Sequence, residues 1–205
     1  MKTLDEIAIE CQTDKATVFT RTYAKPKGYT LHYAKLFDPL RFDPLKFMEI
    51  GAAGGESIRT WLEYMPSASI YGIDIVYGTN PYNTPGAATH PRYQFLQGDT
   101  SDPTMWKCLE ANWGKDWDVI IDDGSHASKD VINSFNALWP NLKPGGLYAV
   151  EDLGCSCTPG SIFLSPNFPS HMEWLNGLAY GMHRGEGDVA EIHLSKELAI
   201  LKKRG

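Results

Sequence analysis

The 205-residue sequence has no apolar run approaching the roughly 20 residues needed to cross a bilayer. Its start, MKTLDEIAIE, places Asp5 and Glu6 where a secretory leader would be apolar. No membrane partner is therefore expected, and the setting expected is cytoplasmic. Basic residues are in deficit: 19 Lys and Arg against 25 Asp and Glu give a formal charge of −6. That is the wrong sign for neutralising a phosphate backbone, so nucleic acid is not an expected partner. Cysteine is also scarce. Cys11, Cys108, Cys155 and Cys157 are too few and too irregular for a disulfide framework, and Cys155-Ser-Cys157 lacks zinc-site spacing.

What is present is an ordinary globular composition, 42% hydrophobic and 12% aromatic, sufficient to bury a core. Phe47 to Ile50 is a short apolar run entering the glycine cluster Gly51-Ala-Ala-Gly-Gly55. After it, Ile58, Trp61, Leu62 and Met65 recur at helical spacing, which predicts strand, tight turn, helix. Further β-type runs lie at Ser69 to Val76, Tyr93 to Leu96, Asp118 to Ile121 and Leu147 to Val150. Helical patterns separate them at Met105 to Ala111 and at Val131 to Trp139, the latter with Ser128 as N-cap. Leu142 to Gly146 reads as a turn, and Val189 to Leu194 with Leu198 to Leu201 as an antiparallel hairpin. The fold class expected is α/β, with a Rossmann-like, mostly parallel sheet, helices on both faces and a C-terminal antiparallel hairpin. Residues 1–45, with helical patches at Leu4 to Cys11 and Leu31 to Phe37, read as an N-terminal cap. Residues 46–205 read as the α/β domain, and Tyr77 to Pro91 and Cys155 to Pro169 as long loops.

In open α/β sheets, ligands sit beyond the carboxyl ends of the strands. Those ends carry Glu49 to Gly55, Asp74, Gly98-Asp99-Thr100, Asp122 to His126, and Glu151-Asp152. The glycine cluster lets backbone approach a ligand at a helix N-terminus, and Asp74 is placed to accept hydrogen bonds from ribose hydroxyls. This is not a G-x-G-x-x-G fingerprint, since Ala53 and Glu56 stand where glycines would be, so a nucleoside without a pyrophosphate is favoured. Asp123, Glu151 and Asp152 fall at the ends of consecutive strands, and three convergent carboxylates repel unless protonated or bound to a cation. All-oxygen ligation suits Mg²⁺ or Mn²⁺. His126, three residues beyond Asp123, is the candidate general base, an imidazole being suited to proton removal. The rival readings are an NAD-dependent oxidoreductase and a non-catalytic nucleoside-binding module.

The order Glu49-Ile-Gly-Ala-Ala-Gly-Gly, Tyr71-Gly-Ile-Asp74, Gly98-Asp99-Thr-Ser-Asp102, Asp118 to His126, Leu142-Lys-Pro-Gly-Gly146 and Glu151-Asp152-Leu153 resembles the class I S-adenosylmethionine-dependent methyltransferases. More narrowly, it is similar to the metal-dependent sugar O-methyltransferases of natural-product pathways. The resemblance covers about residues 13–152. It implies S-adenosyl-L-methionine as cofactor, with Gly51 and Gly54 against its methionine part, Asp74 on the ribose and Asp99 with Thr100 at the adenine. Glu49 and Asp122 count among the cofactor contacts, and Tyr29 is expected to cover the cofactor. Asp123, Glu151 and Asp152 would bind Mg²⁺ (or Mn²⁺), with His126 as base. The acceptor implied is a small molecule with neighbouring hydroxyls, a sugar or a catechol-like diol, with homo-oligomerisation left open. Lys27 stands where this family often has histidine, and Trp174 and Tyr180 are candidate pocket walls. His171 and His183 read as surface histidines.

Overall fold

The computed structural model describes residues 1–21, 24–76 and 90–205. Seven strands form one sheet: β1 (Lys46–Ile50), β2 (Ser69–Asp74), β3 (Tyr93–Gln97), β4 (Trp117–Asp122), β5 (Leu142–Glu151), β6 (Val189–Ser195) and β7 (Leu198–Lys203), in the order β3-β2-β1-β4-β5-β7-β6. The first five are parallel, and the β6–β7 hairpin joins antiparallel to β5, as expected. Among the described residues, six α-helices accompany them: α1 (Leu4–Cys11), α2 (Thr30–Phe37), α3 (Glu56–Tyr64), α4 (Thr104–Trp113), α5 (Ser128–Leu138) and α6 (His171–His183). The chain turns opposite ways on leaving β1 toward β2 and on entering β4, so the switch point of the sheet lies between β1 and β4.

Side chains alternate between the two faces of a strand, and this sorts the core into two layers. Phe47, Val119, Ile121, Leu147 and Ala149 pack with Ile58 and Trp61 of α3 and with Leu4, Ile7, Tyr33 and Phe37 of α1 and α2. Met48, Ile120, Tyr148 and Val150 pack instead with Leu109 of α4, Phe135 of α5 and Leu175 of α6. The two N-terminal helices thus share one core with α3 and the sheet.

Three local expectations are corrected. Leu142 to Gly146 is not a free turn but the start of β5, with a register irregularity opposite Trp117 and Val119. Ser128 is the first residue of α5 rather than its cap; it is buried, and its hydroxyl accepts from Ser165 N–H at 3.1 Å. β2 ends at Asp74, two residues short of the expected run, with Ile75 and Val76 exposed. The loop expected over Tyr77 to Pro91 lies outside the described residues through 89. The stretch from Cys155 to Pro169 is a loop that opens with the end of a short 3-10 turn.

Candidate active site

The strand ends at the switch point enclose a cavity of about 520 Å³, within the range of small-molecule sites. Gly51, Gly54, Asp74, Asp99 and Thr100 line it, as do Asp123, His126 and Asp152. Gly51 has φ +85°, and a Cβ there would stand 1.9 Å from the Asp123 carbonyl oxygen. Only glycine lets the β1 turn pass this close to the β4 loop. Asp74 closes the same turn: its Oδ2 accepts from Ala53 N–H at 2.7 Å. Asp99 organises the β3 loop by accepting from Ser101 N–H at 2.8 Å.

Side-chain parity explains which carboxylates do not reach the cavity wall. Asp122 follows Ile121 and turns into the layer of α4, α5 and α6, where Tyr148 donates to its Oδ2 at 3.0 Å and Gly124 N–H to its Oδ1 at 3.4 Å. Burial pushes its pKa up to about 7. Glu49 and Glu151 turn the other way, toward α1 and α2. Glu49 accepts from Ser57 Oγ at 2.8 Å and from the Trp61 indole at 3.0 Å. Glu151 is 2% exposed and accepts from Tyr33 at 2.6 Å. Glu49 and Asp122, expected as cofactor contacts, are buried against these protein partners and are not among the residues lining the cavity.

The groups that do converge are Asp123, His126 and Asp152, each offering one ligand atom, with the three atoms within 4.8 Å of one another. These three side chains are close enough that a divalent cation could be held among them. Of the metal group expected from the sequence, Asp123 and Asp152 belong to this cluster with the expected base His126 beside them, while Glu151 lies 2.6 Å from the Lys15 ammonium. Tyr29 does not lie over the cavity; it is buried, and its hydroxyl donates to Asp152 Oδ1 at 2.7 Å. Lys27 donates to the same oxygen at 2.6 Å, and Asp152 Oδ2 faces His126 Nε2 at 3.7 Å. Burial alone would raise the Asp152 pKa, but the hydrogen bonds from Lys27 and Tyr29 outweigh it and hold the carboxyl below its ordinary value.

The sequence alone assigns Lys15 no role. Its ammonium lies 2.5 Å from Asp123, 2.6 Å from Glu151 and 3.3 Å from Glu49. Burial works against that charge, but the three carboxylates together hold its pKa well above the ordinary lysine value. Trp174 and Tyr180 do not line the cavity: Trp174 meets Phe135 edge-on at 5.0 Å, and Tyr180 is 67% exposed. His183 is exposed as expected, whereas His171 is fully buried. The four cysteines are free, and no helix among the described residues is long and apolar enough to cross a membrane.

The arrangement has counterparts among known proteins. The chain is 32% identical over 197 residues to 8-demethyl-8-alpha-L-rhamnosyl tetracenomycin-C 2'-O-methyltransferase of Streptomyces olivaceus, covering 86% of this chain and 50% of that protein. It is 33% identical over 149 residues to mycinamicin VI 2''-O-methyltransferase of Micromonospora griseorubida, covering 69% and 35%. The MycE methyltransferase of the mycinamycin biosynthetic pathway, solved with Mg, SAH and mycinamycin VI, superposes with a TM-score of 0.81 at 27% identity. That match covers 99% of this chain and 55% of the other. The chain therefore spans about half or less of the length of each of these proteins. A family model described as "Methyltransferase domain" matches residues 48–153, the segment that runs from β1 through the cavity's strand ends to the residue after Asp152. By that match, which takes in the glycine turn, Asp74 and the Asp123/His126/Asp152 group, the chain belongs to the methyltransferase domain family.

Proposed function

We propose that the chain forms the catalytic unit of an O-methyltransferase that uses S-adenosyl-L-methionine and a divalent cation. Its acceptor is a hydroxyl of a sugar or glycosylated natural product. The observation that carries this reading is the opening of the Asp123, His126 and Asp152 group into the same cavity as the glycine turn and Asp74. The relatives named above, methyltransferases by their names, support the sugar as acceptor class. A formal charge of −6 supports a small molecule over a nucleic acid.

When bound, S-adenosyl-L-methionine supplies an electrophilic methyl group, and Mg²⁺ or Mn²⁺ supplies Lewis acidity toward the acceptor hydroxyl. The chain's own residues do the rest. Asp74 takes the ribose, Asp99 and Thr100 the adenine end, and the backbone at Gly51 and Gly54 the methionine end. Asp123 and Asp152 hold the cation. His126, its Nε2 3.7 Å from Asp152 Oδ2, removes the proton of the reacting hydroxyl. The enclosing strand-end loops align acceptor oxygen and methyl carbon while limiting water.

Calorimetric titration with S-adenosylhomocysteine, in Mg²⁺ and with NAD as control ligand, tests the cofactor. Binding of the first and not the second is expected. His126→Ala should then keep S-adenosylhomocysteine binding and lose methyl transfer to a rhamnosylated acceptor. Binding of NAD alone would replace this reading with a dinucleotide enzyme.

A further inference from the structure

Lys15 carries a charge that the proposed chemistry does not use. Its side chain is 3% exposed, and an ammonium so buried is strongly disfavoured without partners. Its partners come from three strands: Glu49 of β1, Asp123 at the end of β4 and Glu151 of β5. The contact with Asp123 uses Oδ2, and Asp123 also lines the cavity. Glu151 accepts from Lys15 at Oε2 and from Tyr33 at Oε1.

The backbone around Lys15 belongs to the cavity. Residues 12–15 form part of its wall. The wall is braced by Thr13 N–H donating to the Ala8 carbonyl at 3.2 Å, Lys27 N–H to the Asp14 carbonyl at 2.7 Å and Lys15 N–H to Thr13 Oγ1 at 3.4 Å. Asp123 is therefore shared between the cation group and the wall beside the cofactor.

We propose that Lys15 is a positioning residue that couples the cation site to the cofactor site. A divalent cation on Asp123 fixes its carboxylate, the carboxylate fixes Lys15, and Lys15 fixes the 12–15 wall, so cation and cofactor each tighten the binding of the other. Such coupling is reciprocal by thermodynamic necessity. The inference rests on the methyltransferase reading, because its two ligands are that reading's cation and cofactor.

The test titrates S-adenosylhomocysteine into the full chain in chelator and in Mn²⁺, for wild type and Lys15→Met. Wild type should bind at least about fivefold tighter in Mn²⁺, the lower end of ordinary coupling. Lys15→Met should bring that ratio close to one. A merely structural lysine would weaken both affinities alike and leave the ratio intact, which would overturn the proposal. Should Lys15→Met fail to fold, hydrogen exchange on wild type decides. Mn²⁺ added without cofactor should slow exchange at the amides of Thr13, Lys15 and Ala16, and unchanged rates there overturn the proposal. Wild type that binds both ligands without coupling overturns it too and leaves the methyltransferase reading standing. Wild type that binds neither overturns that reading, and the proposal with it.

Discussion

The Tyr29 hydroxyl donates to Asp152 Oδ1 at 2.7 Å across 123 positions of sequence, joining the N-terminal segment to the end of the fifth strand. Burial and the neighbouring carboxylate push the Tyr29 pKa far up, so the phenol stays a donor throughout the working pH range. Partners behind a metal ligand usually matter by one to two orders of magnitude. Tyr29→Phe is expected to weaken Mn²⁺ binding about tenfold, read by calorimetry on cofactor-free protein. An unchanged affinity would mean that Lys27 alone holds Asp152.

Asp74 ends β2 and Asp122 ends β4, the strands flanking β1, but the two carboxylates have different surroundings. Asp74 lines the cavity and accepts from Ala53 N–H at 2.7 Å and Val76 N–H at 3.1 Å. Hydrogen bonds to a charged group are worth about 1.5–3 kcal/mol, so Asp74→Asn should weaken S-adenosylhomocysteine binding by about tenfold or more. Asp122→Asn, buried against Tyr148, should leave that affinity within about twofold. Equal losses in the two variants would contradict that difference in surroundings.

Gly51 and Gly145 both have positive φ, +85° and +77°, yet differ in surroundings. A methyl group at Gly51 meets the Asp123 carbonyl, whereas at Gly145 it meets nothing within 4 Å. Gly145→Ala should cost about 1 kcal/mol, the backbone strain alone. Gly51→Ala should cost about 2–4 kcal/mol by adding a backbone clash. Urea unfolding of the pair measures the difference.

His171 introduces a pH dependence. Its ring is buried, Nδ1 lies 3.3 Å from the Leu153 carbonyl, and Nε2 has no hydrogen-bond partner among the described residues. Burial pushes its pKa below the ordinary 6.5. Below 6.5 the unfolded chain therefore takes up a proton that the native state resists. The stability that neutral His171 permits is complete above pH 6.5 and is lost as pH falls from there through the depressed native value. Urea midpoints should fall between pH 7.5 and pH 5 more steeply for wild type than for His171→Asn. Parallel slopes would assign the acid sensitivity elsewhere.

The order of strands and helices was legible because each segment keeps one period: apolar runs of strand length alternate with stripes such as Val131, Ile132, Phe135 and Leu138. The cavity was legible because its polar residues sit at strand ends. What was missed depends on long-range contacts. Nothing local marks Leu142 to Gly146 as strand, because that assignment comes from pairing with β4. Nothing local in the sequence pairs Lys15 or Lys27 with a carboxylate; the fold brings carboxylates from distant segments around them. The opposite orientations of Asp122 and Glu151 were available from the period of two: Ile121 and Val150, their predecessors, pack into opposite layers. Reading strand ends as one undivided cluster conceals that alternation.

His126 and Asp152 share a backbone feature. Both occupy the left-handed region, with φ of 57° and 54°, although neither is glycine. Such conformations cost on the order of 1–3 kcal/mol each, and a glycine in either place would relieve that strain. Random substitution selected for thermal robustness alone would thus drift toward glycine at the two positions that the proposed chemistry assigns to a base and a cation-holding carboxylate. A stabilising glycine at 126 or 152 would be recognisable in a library by its combination of a higher melting temperature and a dead active site.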